Sequence, residues 1–369
     1  MHRYPHRHAN AGRPHAPVTI QRSVSAAPPL HPSTAGDPIA RTAAETLSPF
    51  GPVACAELPV EVMPADLAPF AYDLAITLES GQSFCWRRFP AAAQPGLPQA
   101  WIGWAGDIPC VVSQTAPGEQ LRVIFPSGAA PIESSVAALR TYFQTDTAYT
   151  PLLRTFPSAA KDPHLARAMR TCGGMRILRQ PAWEATASFI CSAQKQILQI
   201  MQINAALRRS YADRESDSAR LDHLWPFPHP DALAAQGEEA LRLCKLGFRA
   251  RHLFRTAGQI AAGDPALPSP DAIMELPLPA AVESLTRFHG VGEKVASCIL
   301  LFAYQRTDAF PVDVWIQRIL SNLYIRRKAD AASPEYIRAF ATRHFGPHAG
   351  VAQQILFHWY RTGQAHASG

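Results

Sequence analysis

The sequence predicts an α+β protein in which an antiparallel β-sheet domain precedes a mainly α-helical region. Two changes of pattern predict it. Between about residues 53 and 126, short segments of β-branched and aromatic residues are separated by breaks rich in Pro and Gly. After about Ile132 the apolar spacing becomes helical and stays so toward the C-terminus. Size is the third observation: 369 residues, 47% hydrophobic and 17% charged, exceed the usual extent of one core, so more than one domain is expected. No apolar run approaches the ~18 residues that a membrane helix needs, and a soluble protein is expected.

Taken in order, residues 1–50 are rich in Pro, Ala, Ser, Arg and His and lack apolar periodicity, which predicts a disordered basic tail. Its basic residues Arg3, Arg7, Arg13, Arg22 and Arg41 outnumber Asp37 and Glu45. Residues 51–145 read as the sheet domain. Its extended segments are Tyr72–Leu78, Trp101–Trp104, Val111–Val112 and Leu121–Phe125, with solvent expected on one face. Residues 146–365 read as helical. Trp183, Ile190, Ala193, Ile197 and Ile200 mark one stripe, and Leu241, Leu253 and Ile260 fall in another helical stretch. Trp225–Pro230 and Pro265–Pro270 are rigid connectors.

The seven cysteines form no C-x-x-C pair and no cluster, which points to a reducing compartment and to no bound metal, iron–sulfur cluster or other cofactor. The net charge of +6 suits an anionic partner without identifying one.

Chemistry concentrates in Leu285–Ile299. A helix enters, Gly290-Val291-Gly292 reverses the chain, and a second helix leaves with Val295, Ile299 and Phe302 as its apolar stripe, giving a hairpin over about 280–306. The glycines let the backbone turn tightly and approach another surface, and free amides at the start of the second helix can bind a phosphate without reading sequence. Just inside that helix stands Lys294, one of only five lysines among the 35 basic residues. It is either a solvated surface lysine or an amine that can lose its proton and act as a nucleophile. Downstream, Phe310-Pro311-Val312 leads into Asp313, which is either an N-cap of the next helix or a carboxylate reserved for chemistry. Gln353 and Phe357 share a helical face, and Cys298 lies one turn beyond Lys294.

The hairpin with its lysine, the Pro311-Val312-Asp313 turn, Gly81–Arg87 and Leu246–Arg251 occur together. With them the sequence resembles the 8-oxoguanine DNA glycosylase family of the helix-hairpin-helix superfamily, from about Pro52 to Gly363. The resemblance implies that Lys294 attacks the sugar of an extruded nucleotide to form a Schiff base, followed by β-elimination. It implies that Asp313 stabilises the positive charge developing on that sugar. Attack needs a neutral amine, so a site that takes Lys294 out of water is expected. The resemblance further implies a base pocket in which Phe357 and Cys298 stack on the purine and Gln353 bonds its edge. The Gly81 carbonyl then accepts the N7 proton that oxidised guanine carries and guanine lacks.

Against the DNA the same likeness sets Gly290, Val291, Gly292, Gln194, Lys195, Phe248 and Arg249. Of these, Lys195 is equally readable as a phosphate contact or a solvated lysine. The implied partner is double-stranded DNA containing oxidised guanine, bound by a monomer in a cytoplasmic nucleoid or a nucleus and not secreted. The sequence also departs from the family. Gln199 stands where an arginine facing the opposite cytosine is common, so a weakened preference for cytosine opposite the lesion is expected; Phe248 stands for a tyrosine-like wedge, and Trp315 in place of a histidine and His289 in place of a proline bear on DNA affinity. Two other functions fit parts of the pattern. An alkylpurine glycosylase of the same superfamily generally lacks the hairpin lysine, and a non-catalytic helix-hairpin-helix DNA-binding module would not need Lys294 and Asp313 together.

Overall fold

The computed structural model describes residues 37–93, 96–128, 130–212, 224–264, 266–325 and 332–363. The expected tail therefore lies outside the described residues as far as residue 36. Its last part does not match the expectation, because Pro38–Leu47 is a helix, α1, capped by the Asp37 carboxylate accepting from Ala40 N at 3.0 Å. Ile39, Ala40, Ala43 and Leu47 supply its buried face. A stripe this short, set among proline and alanine, carries little periodic signal. It becomes stable by packing, since each fully buried Ile or Leu side chain contributes roughly 1.5–3 kcal/mol.

Five strands follow: β1 (Val53–Leu58), β2 (Arg87–Arg88), β3 (Gln99–Ala105), β4 (Ile108–Gln114) and β5 (Leu121–Pro126). They form one antiparallel sheet in the order β1-β5-β4-β3-β2. The expected open face is absent among the described residues. Trp101, Val112, Val123 and Phe125 pack on one side with Leu139 and Phe143 of α3 (Ile132–Phe143). Trp104, Val111 and Ile124 pack on the other side with Ile39, Ala43 and Leu47 of α1. The alternation along each strand thus separates two apolar faces, and misplacing α1 in the tail is what made one of them look solvated. The extended reading of Tyr72–Leu78 also fails. Leu74–Glu79 is a helix, α2, because Asp73 caps it through Ile76 N at 3.0 Å and an Asx cap outweighs a short β-like composition.

The helical region continues through α4 (Thr150–Leu153), α5 (Pro163–Cys172), α6 (Ala182–Cys191) and α7 (Ile197–Tyr211). Then come α8 (Pro230–Ala234), α9 (Glu238–Leu241), α10 (Arg249–Ala262) and α11 (Pro270–Glu275). It closes with α12 (Leu278–Thr286), α13 (Glu293–Phe302), α14 (Val314–Leu320), α15 (Pro334–Phe345) and α16 (Ala349–Arg361). The single stripe expected from Trp183 to Ile200 is two helices. The chain breaks at 192–196, where Gln194 takes φ +53° and a Gln196–Gln199 capping box starts α7. Helix α13 is buried from Val295 to Phe302 and forms the spine of the helical core, packed against α6 and α12.

Candidate active site

Helices α12 and α13 are joined by the expected hairpin. Gly290 turns it at φ +77°, and a Cβ there would lie 2.6 Å from His252 Cβ, so only glycine lets α10 close on the turn. Thr256 of α10 donates to the His289 carbonyl at 2.6 Å, and Gln259 accepts from His289 N at 3.1 Å. Val291 faces the core and its N–H bonds the Phe288 carbonyl, so it shapes the turn while Gly290 and Gly292 stay exposed. Gly292 caps α13 without a side-chain acceptor for the first-turn amides.

Lys294 in that first turn is half-buried. Its ammonium donates to Ser192 Oγ at 3.1 Å and lies 5.5 Å from the Phe189 ring centre. Phe189 itself stacks on Phe302, with centroids 5.2 Å apart at 13°. The amine therefore rests on an apolar floor with one hydroxyl partner, partly removed from water as expected. Cys298, one turn on, is buried. Burial raises its thiol above the ordinary range while the Lys294 charge opposes the rise, so the sulfur stays protonated and uncharged.

Asp313 is the N-cap of α14, accepting from Ile316 N at 2.8 Å through Oδ1. The capping reading is thus correct as far as it goes, and it commits one of two oxygens. Asp313 and Lys294 line the same cavity, of 380 Å³, which they share with Gly81, Cys298, Gln353 and Phe357. All six residues expected to catalyse or hold a base are brought together in a space of the size that takes a small ligand.

On α16, Gln353 is 5% exposed, and its Oε1 finds no hydrogen-bond partner among the described residues. A buried acceptor left so costs roughly 1–3 kcal/mol unless a ligand donor meets it. Phe357, one turn on, is half-buried. Gly81 takes φ +82°, and a Cβ would lie 2.4 Å from Ile197 Cδ1, so α7 presses against this turn.

The residues expected on the DNA side are spread around the cavity mouth. Phe248 is 52% exposed, as a wedge requires. Gln194 is exposed at the break before α7, and Lys195 is half-buried beside the cavity. Arg249 is different. It is buried, its Nε donates to the Ala193 carbonyl at 2.7 Å and Nη1 to the Leu246 carbonyl at 3.2 Å. In this arrangement it braces the 192–196 turn, and reading a base would require it to exchange those bonds. Gln199 is spent on the Gln196 backbone N–H in the capping box.

Sequence reasoning missed Ser192, Phe189 and Ile197. Ser188-Phe189-Ile190-Cys191-Ser192 carried the signal for the first two, but only the fold shows that this helix end meets the start of α13.

A hairpin at a helix start, a lysine over an aromatic floor, a helix-capping aspartate and an open-mouthed pocket with stacking and hydrogen-bonding side chains define a helix-hairpin-helix base-excision protein. Residues 67–186 match the family model described as 8-oxoguanine DNA glycosylase, N-terminal domain, and residues 187–344 match the HhH-GPD superfamily base excision DNA repair protein. The crystal structure of apo Clostridium acetobutylicum 8-oxoguanine glycosylase/lyase is similar, with 30% identity and a TM-score of 0.65 over 78% of this chain and 93% of that one. The same protein with double-stranded DNA containing cytosine opposite 8-oxoG gives a TM-score of 0.67 at 29% identity, over 79% and 93%. The N-glycosylase/DNA lyase OGG1 of Arabidopsis thaliana is 28% identical over 307 residues, 80% of this chain and 79% of that protein. The chain belongs to the 8-oxoguanine DNA glycosylase family.

Proposed function

We propose that this protein is a bifunctional DNA glycosylase and abasic-site lyase that excises 8-oxoguanine from duplex DNA in base excision repair. One observation carries the reading: Lys294 and Asp313 open on the same cavity as the unpartnered Gln353 carbonyl oxygen. A nucleophile and an anion beside a purine-edge acceptor suit a nucleotide swung out of the stack.

In this reading neutral Lys294 Nζ bonds to sugar C1′ as the bond from C1′ to N9 breaks, and the base leaves with that electron pair and takes up a proton. Sugar ring opening gives the protonated Schiff base. Loss of a C2′ proton then expels the phosphate on C3′, which nicks the strand, and water releases the lysine. Asp313 offsets the positive charge that appears on the sugar, a large contribution where water is excluded. Phe357 and Cys298 enclose the purine faces, and Gln353 Oε1 accepts from its N1–H or amino group. The Gly81 carbonyl meets N7–H, leaving guanine, which has no proton there, without that bond. Phe248 fills the gap left in the duplex, while the amides at Gly290 and Gly292 and the Lys195 ammonium suit backbone phosphates. A substrate of this kind puts the protein where the genome is, in a nucleoid or a nucleus.

Borohydride trapping on a duplex with 8-oxoguanine opposite cytosine tests the reading. A covalent adduct is expected with the unaltered chain and none with Lys294→Gln, with excision lower by ~10³-fold or more, as for other deleted nucleophiles. Tight, salt-sensitive binding without any adduct would reject it.

A further inference from the structure

The turn that carries Gly81 is held in an unusual way. Four successive carbonyls, of residues 79 to 82, run from the last residue of α2 to the one before Ser83. Arg361 Nη2 donates to the Glu79 carbonyl at 2.9 Å, Gln354 Nε2 to that of Ser80 at 3.0 Å, and Gln180 Nε2 to that of Gln82 at 2.7 Å. Among the described residues no donor meets the carbonyl of Gly81, and Gly81 lines the cavity. Three acceptors are occupied and the one beside the pocket is left over.

We infer that Gln354 and Arg361 are positioning residues for lesion recognition: they tie back the Ser80 and Glu79 carbonyls so that the Gly81 carbonyl alone is presented to a donor in the base pocket. This inference rests on the functional reading above and deepens it. Both residues stand on α16, the helix that also carries Gln353 and Phe357. One rigid element thus sets the distance between the acceptor for the purine edge, the stacking ring and the turn bearing the discriminating carbonyl. Gln354 is buried, so its bond to Ser80 is sheltered from water. Arg361 is anchored in turn by His358, whose Nδ1 accepts from Nη2 at 3.1 Å. Burial and the Arg361 charge hold that imidazole at about 4, so it is neutral and able to accept at physiological pH. From the other side Ile197 presses on Gly81 and blocks retreat of the turn.

Neither clamp residue takes part in the attack on the sugar, and this separates their role from general folding. With Gln354→Leu and Arg361→Met, single-turnover release of 8-oxoguanine should fall roughly tenfold or more, since misplacing a recognition group by about 1 Å costs up to ~10²-fold. Nicking of a preformed abasic site opposite cytosine, which needs no base contact, should stay within about twofold of the unaltered chain. The affinity ratio between 8-oxoguanine:cytosine and guanine:cytosine duplexes should narrow by a similar factor. Parallel loss of excision and nicking would reduce the two residues to structural supports and overturn the inference, as would unchanged excision with an unchanged affinity ratio. If the unaltered chain nicks abasic DNA but releases no 8-oxoguanine, the functional reading itself fails; if it releases 8-oxoguanine and the variants match it, only the clamp does.

Discussion

Buried glutamines in the sheet region and in the cleft are treated differently. Gln82 donates to the Thr77 carbonyl, Ser80 Oγ and the Arg176 carbonyl at 2.8, 3.0 and 2.9 Å and accepts from Leu178 N at 2.8 Å. Gln114 accepts from Leu74 N at 2.8 Å and donates to the Tyr72 and Glu119 carbonyls at 3.0 and 2.8 Å. Gln353, as deeply enclosed, has an oxygen with no partner among the described residues. Where Gln114 ties loops to β4 and Gln82 ties the 80–83 turn to residues 176–178, the capacity of the side chain is used; where Gln353 borders the cavity, an acceptor is withheld. An acceptor buried without a partner beside a cavity is one that a bound donor can satisfy.

The contrast is broken most severely by Gln82→Leu. It strands the Leu178 N–H and the Arg176 carbonyl in a buried setting, at roughly 1–3 kcal/mol for each group that water cannot reach, while the Thr77 carbonyl keeps the Ser80 hydroxyl. Denaturant unfolding should therefore show a loss of about 4 kcal/mol. A loss under about 1 kcal/mol would mean that the network is hydrated and that saturation there is incidental.

Next in size is Asp313→Asn, which tests a residue serving both purposes at once. Asparagine caps a helix about as well as aspartate, so the bond to Ile316 N survives and the thermal midpoint should scarcely move. Excision should nevertheless slow by roughly 10²–10³-fold, the usual cost of removing one preorganised electrostatic group. Single-turnover kinetics at saturating enzyme distinguish this from weakened binding. Equal rates for the two proteins would leave Asp313 a cap and nothing more.

Phe357→Ala sharpens the cleft side by about 1–3 kcal/mol of lesion affinity, the range of base–aromatic stacking losses. Titration of a lesion duplex at fixed salt reads it, and unaltered affinity would make the ring ordinary core.

What the sequence disclosed follows the same division. Lys294, Asp313, Gly290 and Gly292 were legible because glycine turns, a rare lysine and a Pro-Val-Asp turn are local patterns, and each reading concerned residues close in the chain. The sheet was legible from alternation. Helix α1 was not, since Ile39, Ala43 and Leu47 become a face only when the outer side of the sheet is there to receive them. Ser192 under Lys294, the Arg249 bonds to Ala193 and Leu246, and the ties from α16 to residues 79 and 80 join positions far apart in the chain. No spacing rule announces such contacts, because tertiary packing alone chooses which carbonyl a long side chain will find.

The smallest expected effect is also the most discriminating. Gln353→Leu removes the unpartnered oxygen and keeps most of the side-chain volume, so it should leave stability unchanged or slightly raised, the opposite of Gln82→Leu. Lesion affinity should fall about fivefold, the worth of one hydrogen bond of about 1 kcal/mol. Nicking of a preformed abasic site should persist, because Lys294 and Asp313 are untouched. Thermal unfolding and duplex titration on the same preparations measure both halves. A destabilised Gln353→Leu protein with undiminished lesion affinity would show that the oxygen is satisfied from within the fold by water, and the distinction between a saturated region and an expectant one would disappear.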